Sequence, residues 1–137
     1  MREEKFATEQ INGLCQMHDE VIDKISVQDG ALVLDFAELI HPVGAETSCE
    51  MIFRGFEDMD ADVRALVYDM DTLLNVRGEK LYLREFVDKF VVSGKPIMEI
   101  IELYCGNSSV LLRGELKPSR RRVLLQIDAK ELVYRWQ

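Results

Sequence analysis

The sequence predicts a mainly β fold with a minor α component. We expect an antiparallel β-sandwich or curled sheet of about eight strands, with one amphipathic helix near 82–91. Three observations predict it. Asp29-Gly30 separates two alternating apolar runs, the strongest short-range hairpin signal. The last third of the chain divides into four short alternating segments with hairpin-length links, as expected of an antiparallel sheet. Only the segment from Leu83 to Phe90 carries clean helical spacing.

The first hairpin can be checked by its register. A type I′ turn needs positive φ at both central residues, which suits Asp-Gly. With Asp29-Gly30 as the loop, Gln28 faces Ala31, Val27 meets Leu32 and Ile25 meets Leu34. Lys24 then meets Asp35 on the other face, an opposite-charge pair. A slip of one residue would break the apolar pairs. His41-Pro42-Val43-Gly44 ends the second strand, because proline cannot donate to a ladder. A loop runs to about Thr47, and residues 49–56 alternate as a strand with Cys49, Met51 and Phe53 on one side. Glu57 to Asp62 is an acidic turn. Residues 60–76 fit two patterns. Val63, Leu66, Val67, Met70, Leu73 and Leu74 make a helical stripe, while Val63, Ala65 and Val67 make a strand face. The β context favours a strand over 63–69.

Arg77-Gly78 reads as a turn. Leu83, Phe86, Val87 and Phe90 then lie at i, i+3, i+4 and i+7, an amphipathic helix ended by Ser93-Gly94 and Lys95-Pro96. Residues 97–105 and Ser109–Leu116 pair through a loop near Asn107-Ser108. This sets Leu103 on Leu112, Cys105 on Val110 and Glu102 on Arg113. Pro118 and the arginines 120–122 form a basic turn. Residues 121–128 and Glu131–Trp136 read as a last hairpin around Ala129-Lys130, with Ile127 on Leu132, Leu125 on Tyr134 and Val123 on Trp136. That register also sets Asp128 against Glu131, a like-charge pair that opposes it. Residues 1–16, with Phe6, Ile11 and Leu14 spaced apart, read as an N-terminal arm or short helix, and 17–137 as one antiparallel β domain.

Composition narrows the function. A chain of 137 residues can bury roughly two thirds of its unfolded surface in one core. Its net charge of −8 repels phosphate backbones, so nucleic acid is not an expected partner. The same field would steer a cationic protein partner toward the chain. No run reaches the roughly 20 apolar residues of a membrane helix, and Met1-Arg2-Glu3-Glu4-Lys5 has no secretory h-region. Cys15, Cys49 and Cys105 are an odd set without framework spacing, which points to a reducing compartment and a cytoplasmic protein.

Residues that could carry chemistry are few. Cys15 and His18 are spaced C-x-x-H, and His41 and Cys49 lie downstream. Four such ligands could hold zinc, but Cys49 alternates with Met51 and Phe53 as a core residue would. Nucleophilic catalysis needs a thiol or hydroxyl beside a base, and only His18 and His41 offer an imidazole. Asp58-x-Asp60-x-Asp62 opens like a calcium loop but has Val63 where glycine should turn the chain, so it reads as a solvated turn. Arg120-Arg121-Arg122 is the one basic cluster and reads as a hairpin tip. His18, Asp19 and His41 stand as candidate binding residues at a sheet rim. The competing reading makes Asp19 a strand-start cap and His18 its loop contact. No catalytic residue, metal or cofactor is expected.

Met17-His18-Asp19-Glu20 leads straight into the hairpin. Residues 49–56, Leu83–Phe90, Ile100-Ile101-Glu102-Leu103-Tyr104, Arg113-Gly114-Glu115 and the terminal Tyr134-Arg135-Trp136 follow in order. Over 17–136 this pattern resembles small bacterial β domains of unassigned function, some placed among toxin-immunity proteins. The resemblance implies no catalytic residues. The leading expectation is a non-enzymatic protein-interaction module of immunity-like kind, with homodimerisation through sheet edges. The alternatives are a small-molecule or lipid binder using the interior of a curled sheet, and a cysteine- or histidine-dependent enzyme.

Overall fold

The structure is a computed structural model that describes residues 2–7, 21–40, 46–70, 76–90, 98–106, 109–117 and 119–136. Its elements are β1 (Arg2–Ala7), β2 (Val21–Gln28), β3 (Ala31–Ile40), β4 (Glu46–Arg54), α1 (Met59–Asp62), β5 (Val63–Met70), β6 (Val76–Tyr82), α2 (Leu83–Phe90), β7 (Met98–Gly106), β8 (Ser109–Leu116), β9 (Arg122–Ile127) and β10 (Glu131–Trp136). All ten strands join one antiparallel sheet, in the order β1-β10-β4-β3-β2-β7-β8-β9-β5-β6. The chain is therefore mainly β, with two short helices among the described residues on a curled sheet.

The β2–β3 hairpin has the register that its turn demands. Gln28 faces Ala31, Val27 faces Leu32, Ile25 faces Leu34 and Lys24 faces Asp35. Asp29 (φ 51°) and Gly30 (φ 75°) both take the left-handed conformation of that turn. The β7–β8 pair also matches expectation, with Glu102 on Arg113, Leu103 on Leu112 and Cys105 on Val110. Residues 63–70 are a strand, and α2 spans the expected helix.

The last hairpin is corrected. β9 does not pair with β10. β9 lies between β8 and β5, and β10 lies between β1 and β4. Ile127 therefore faces Val63 and Val110, while Leu132 faces Phe53 and Phe6. The physical reason is a corner. β4 pairs with β10 and β5 pairs with β9, so one two-stranded ribbon runs through both halves of the sheet. Its two links, 55–62 and 128–130, are tied by Lys130 N–H donating to Arg54 O (3.0 Å) and Asp128 N–H to Asp62 O (2.9 Å). The longer link spends its surplus residues on α1. Gly55 (φ 81°) makes the bend, and a Cβ there would lie 2.8 Å from the Lys130 Cβ. A corner also relieves the Asp128–Glu131 clash of a tight hairpin.

Two further expectations change. Over 2–7 the N-terminal segment is a strand, rather than a loose arm or helix, and pairs with β10. Arg77-Gly78 lies inside β6 rather than at a turn. Gly78 faces Tyr68, and a Cβ on it would lie 2.7 Å from both Val67 O and Tyr68 Cβ. Close approach of strands, not chain reversal, is what requires glycine there.

Among the described residues, β2 and β7 join the two halves, β1-β10-β4-β3-β2 and β7-β8-β9-β5-β6, through Val21–Glu99 and Ile22–Met98. Folding at the corner brings their inner faces together. Leu32, Leu34, Met51 and Phe53 of one half share a single core with Val63, Val67, Leu112 and Leu125 of the other. α2 adds Leu83 and Phe86 to this core.

Candidate functional site

The two halves differ on their outer faces. In the first half, Ala31, Val33, Ile52 and Val133 form a second buried cluster behind the main core. Strands buried on both sides read as continuous apolar runs, which explains Ala31-Leu32-Val33-Leu34, Met51-Ile52-Phe53 and Leu132-Val133-Tyr134. The second half alternates instead. β8 and β9 bury every second residue, and their other side chains are only partly covered. Such a face is normally polar. Here it is not.

Register places the outward side chains in rows. One row runs Tyr104, Leu111, Gln126, Arg64, Tyr82 across five strands, from β7 to β6. The next runs Glu102, Arg113, Leu124, Leu66, Lys80. Leu66, Leu111 and Leu124 are half-buried, while Tyr82 and Tyr104 are 53% and 58% exposed. Over β5, β6 and β9 the face dips into a depression of about 470 Å³, lined by Leu66, Leu124, Leu81 and Tyr82 with Arg64, Lys80 and Gln126 at its rim. At its other side, a register shift between Ile100 and Glu102 turns Ile101 outward, 40% exposed. Bulges commonly re-aim side chains in this way.

Polar groups hold this face in shape. Glu102 accepts from Tyr104 Oη (2.8 Å) and from Arg113 Nη2 (2.9 Å), which ties the Tyr104 ring to the row beside it. That accepted hydrogen bond, and then the Glu102 charge, raise the Tyr104 phenol above its ordinary value. Asp128, on the corner, accepts from Arg64 Nη2 (2.6 Å), Gln126 Nε2 (3.1 Å) and Ser109 Oγ. Lys117 reaches Glu99 (3.1 Å) and Glu115 (3.8 Å). Arg64, Lys80, Arg113, Lys117 and Arg122 thus share the face with Glu99, Glu102, Glu115 and Asp128, and Arg64, Arg113 and Lys117 are ion-paired there. The face is close to neutral in a chain of net charge −8.

The first half carries a contrasting acidic row. Asp35 stands directly opposite Glu50 on β4, and Arg135 lies between Glu50 (3.8 Å) and Glu3 (3.9 Å). Burial first, and then Glu50, raise the Asp35 carboxyl; Lys24 pulls it down and Asp23 adds to the rise. A carboxyl whose folded pKa is raised weakens the fold above that pKa, and the penalty fades as pH falls below the unfolded value. Asp35→Asn is therefore expected to stabilise at pH 7 by about 0.5 kcal/mol, the scale of a screened cross-strand pair. The gain should vanish near pH 3, when urea midpoints of the two proteins are compared at both pH values.

Of the residues singled out in the sequence, His18, Asp19, His41 and Cys15 lie outside the described residues. Cys49 is buried in the main core, its Sγ donating to Glu50 O at 3.5 Å. Among the described residues, no group of three or more His, Cys, Asp or Glu is placed to hold a metal ion. Asp58, Asp60 and Asp62 belong to the single helical turn of α1 and its N-cap, rather than to a plain turn: the Asp62 carboxylate accepts from the Glu57 and Asp58 N–H groups, both at 3.0 Å. Within the basic triplet, Arg121 is engaged by its neighbours. Arg121 Nε bonds Asp69 (3.2 Å) and its guanidinium stacks 5.6 Å from the Phe90 ring centre. Among the described residues no helix is long and apolar enough to cross a membrane. The sequence reading missed the Leu66, Leu111, Leu124 face. Its signal was present: leucines at the outward positions of alternating strands. No family model, curated protein or solved structure matches the chain.

Proposed function

We propose that the chain is a non-enzymatic protein-interaction module whose contact surface is the outer face of β5, β6, β7, β8 and β9. One observation carries this reading: leucine and tyrosine side chains stand outward across adjacent strands, interleaved with arginines. Tyr and Arg are the residues enriched at protein contacts, and exposed contiguous apolar patches mark interaction sites. The occupant favoured by charge is a second copy. Two chains of net charge −8 repel over most of their surface. On this face five cations meet four carboxylates, and copies can approach without that penalty. Edge pairing is less favoured, because both outer strands, REEKFA and VRGEKLY, are dense in charge. A small-molecule or lipid binder would place its ligand inside the curl, where one packed core fills the space between the halves.

Five strands about 4.8 Å apart and three outward rows span roughly 400 Å² of sheet. Over both copies that is about 800 Å², below the roughly 1,000 Å² of a stable contact, so a weak, transient dimer is expected. Sedimentation should give a monomer–dimer equilibrium that shifts over the micromolar to millimolar range. Leu124→Asp, at a half-buried outward site, should raise the dimer dissociation constant at least tenfold while lowering the thermal midpoint by only a few degrees. A wild-type chain that stays monomeric at millimolar concentration would overturn this reading.

A further inference from the structure

We infer that a groove between α2 and the β2–β3 turn is a docking site for a cationic protein segment carrying an apolar anchor. This site is separate from the open sheet face. The groove encloses about 460 Å³, within the range of pockets that hold a ligand side chain or more. Its floor is aliphatic. Leu83 and Val87 of α2 stand one turn apart, Met59 of α1 lies beside them, and Val27 closes the opposite wall.

Val27 is the telling residue. The hairpin register points it to the same face as Ile25 and Leu32, which are 7% and 0% exposed, yet Val27 is 56% exposed. The hairpin overhangs the core at its tip, so the apolar stripe runs out into the groove. Above Gly30 the space is open, with nothing within 4 Å of the position a Cβ would take.

The rim fixes the charge of the occupant. Asp58, Asp60 and Asp88 line it, and Arg84 is the one cation among the lining residues. Arg84 already faces Asp60 at 3.6 Å. Asp58 occupies the N-cap position of α1 but makes no side-chain cap bond. Asp58 and Asp88 are exposed, and among the described residues no ion pair neutralises either carboxylate. Asp62 is different: its carboxylate is used by the backbone of its own turn. An apolar trough with two uncompensated carboxylates, in a chain of net charge −8, complements a segment in which lysine or arginine flanks leucine-like side chains. An acidic or purely apolar segment would gain nothing from the rim.

The probe is a fluorescent synthetic peptide in which two leucines are flanked by lysines. Controls replace the leucines by serine or the lysines by glutamate. The full chain is titrated by fluorescence polarisation, as wild type and as Leu124→Asp, so that groove binding is read apart from self-association. Saturable binding of the leucine–lysine peptide to both proteins is expected. Asp58→Lys with Asp88→Lys should weaken it at least tenfold, and Val27→Ser about threefold or more; all three positions are exposed, so the fold should survive. The inference is overturned if the peptide does not saturate. It is also overturned if the variants bind as wild type does, or if the serine control binds equally well, which would mean charge alone.

Discussion

Replacing Phe53 by alanine is expected to cost about 3–5 kcal/mol, the range for a fully buried phenylalanine. Phe53 is 0% exposed. It lies on β4 with Leu32 of β3 and Leu132 of β10 opposite it on either side. β4 ends one residue later, at Arg54, and Gly55 begins the corner, so this ring sits where the two halves of the sheet close on each other. The loss combines transfer of the ring with an unfilled cavity, because β-sheet backbones on both sides cannot collapse into the space. Total stabilities of domains run to about 5–15 kcal/mol, so the variant should fall close to the edge of folding. The thermal midpoint should drop by roughly 10–20 °C, and the urea midpoint by more than about 1 M. Tyr82→Ala serves as the contrast. At 53% exposure on the open face it should shift stability by no more than about 0.5 kcal/mol. Equal losses at the two positions would contradict the inside–outside assignment of the strands.

The parts of the fold that were legible were those specified by local chemistry. Asp29-Gly30 fixes turn type and register together, and Lys24–Asp35 confirms the register from the opposite face. Glu102–Arg113 does the same for β7 and β8. What could not be read was the choice of partner for strands adjacent in sequence. Residues 128–130 have the length of a hairpin loop, but whether they reverse the chain or turn a corner depends on Arg54 and Asp62, more than 60 residues away. The like-charge pair Asp128–Glu131 was the one local warning. Gly78 misled for a related reason: a glycine required by close packing on Tyr68 has the same letter as one required by a turn.

The candidate site was legible in part. The acidic segment Asp58 to Asp62 was legible as a break between strands, where the structure places the one-turn helix α1. Its meaning as the rim of a groove needs α2 and Val27 beside it, and those neighbours are tertiary. The outer sheet face was hidden by a different ambiguity. Leucines on both sides of a strand read as a doubly buried strand. That reading is correct for β4 and β10, where Ile52 and Val133 are covered. It fails for β8 and β9, where Leu111 and Leu124 remain half-exposed. Only the layer behind each strand distinguishes the two cases.

Gly114→Ala is expected to destabilise by about 3 kcal/mol, the upper end for an overpacked core, although it adds a single methyl group. Gly114 is buried on β8, facing Ile100 of β7 and Val123 of β9. A Cβ built there would lie 2.5 Å from the Glu99 carbonyl oxygen and 2.5 Å from Met98 Cε. The Met98 methyl can swing aside; the carbonyl cannot, because it belongs to the backbone of the neighbouring strand. It lies just before the register shift between Ile100 and Glu102 that turns Ile101 outward. Gly30→Ala isolates the other way a glycine can matter. Its φ of 75° strains any other residue, but nothing lies within 4 Å of the added carbon. That variant should lose only about 1–2 kcal/mol, the cost of left-handed backbone. Adding Met98→Ala to Gly114→Ala separates the two clashes in a double-mutant cycle. Little rescue is expected, since the carbonyl contact remains. Full rescue would assign the whole cost to the methionine and would free β7 to sit where any small residue on β8 allows.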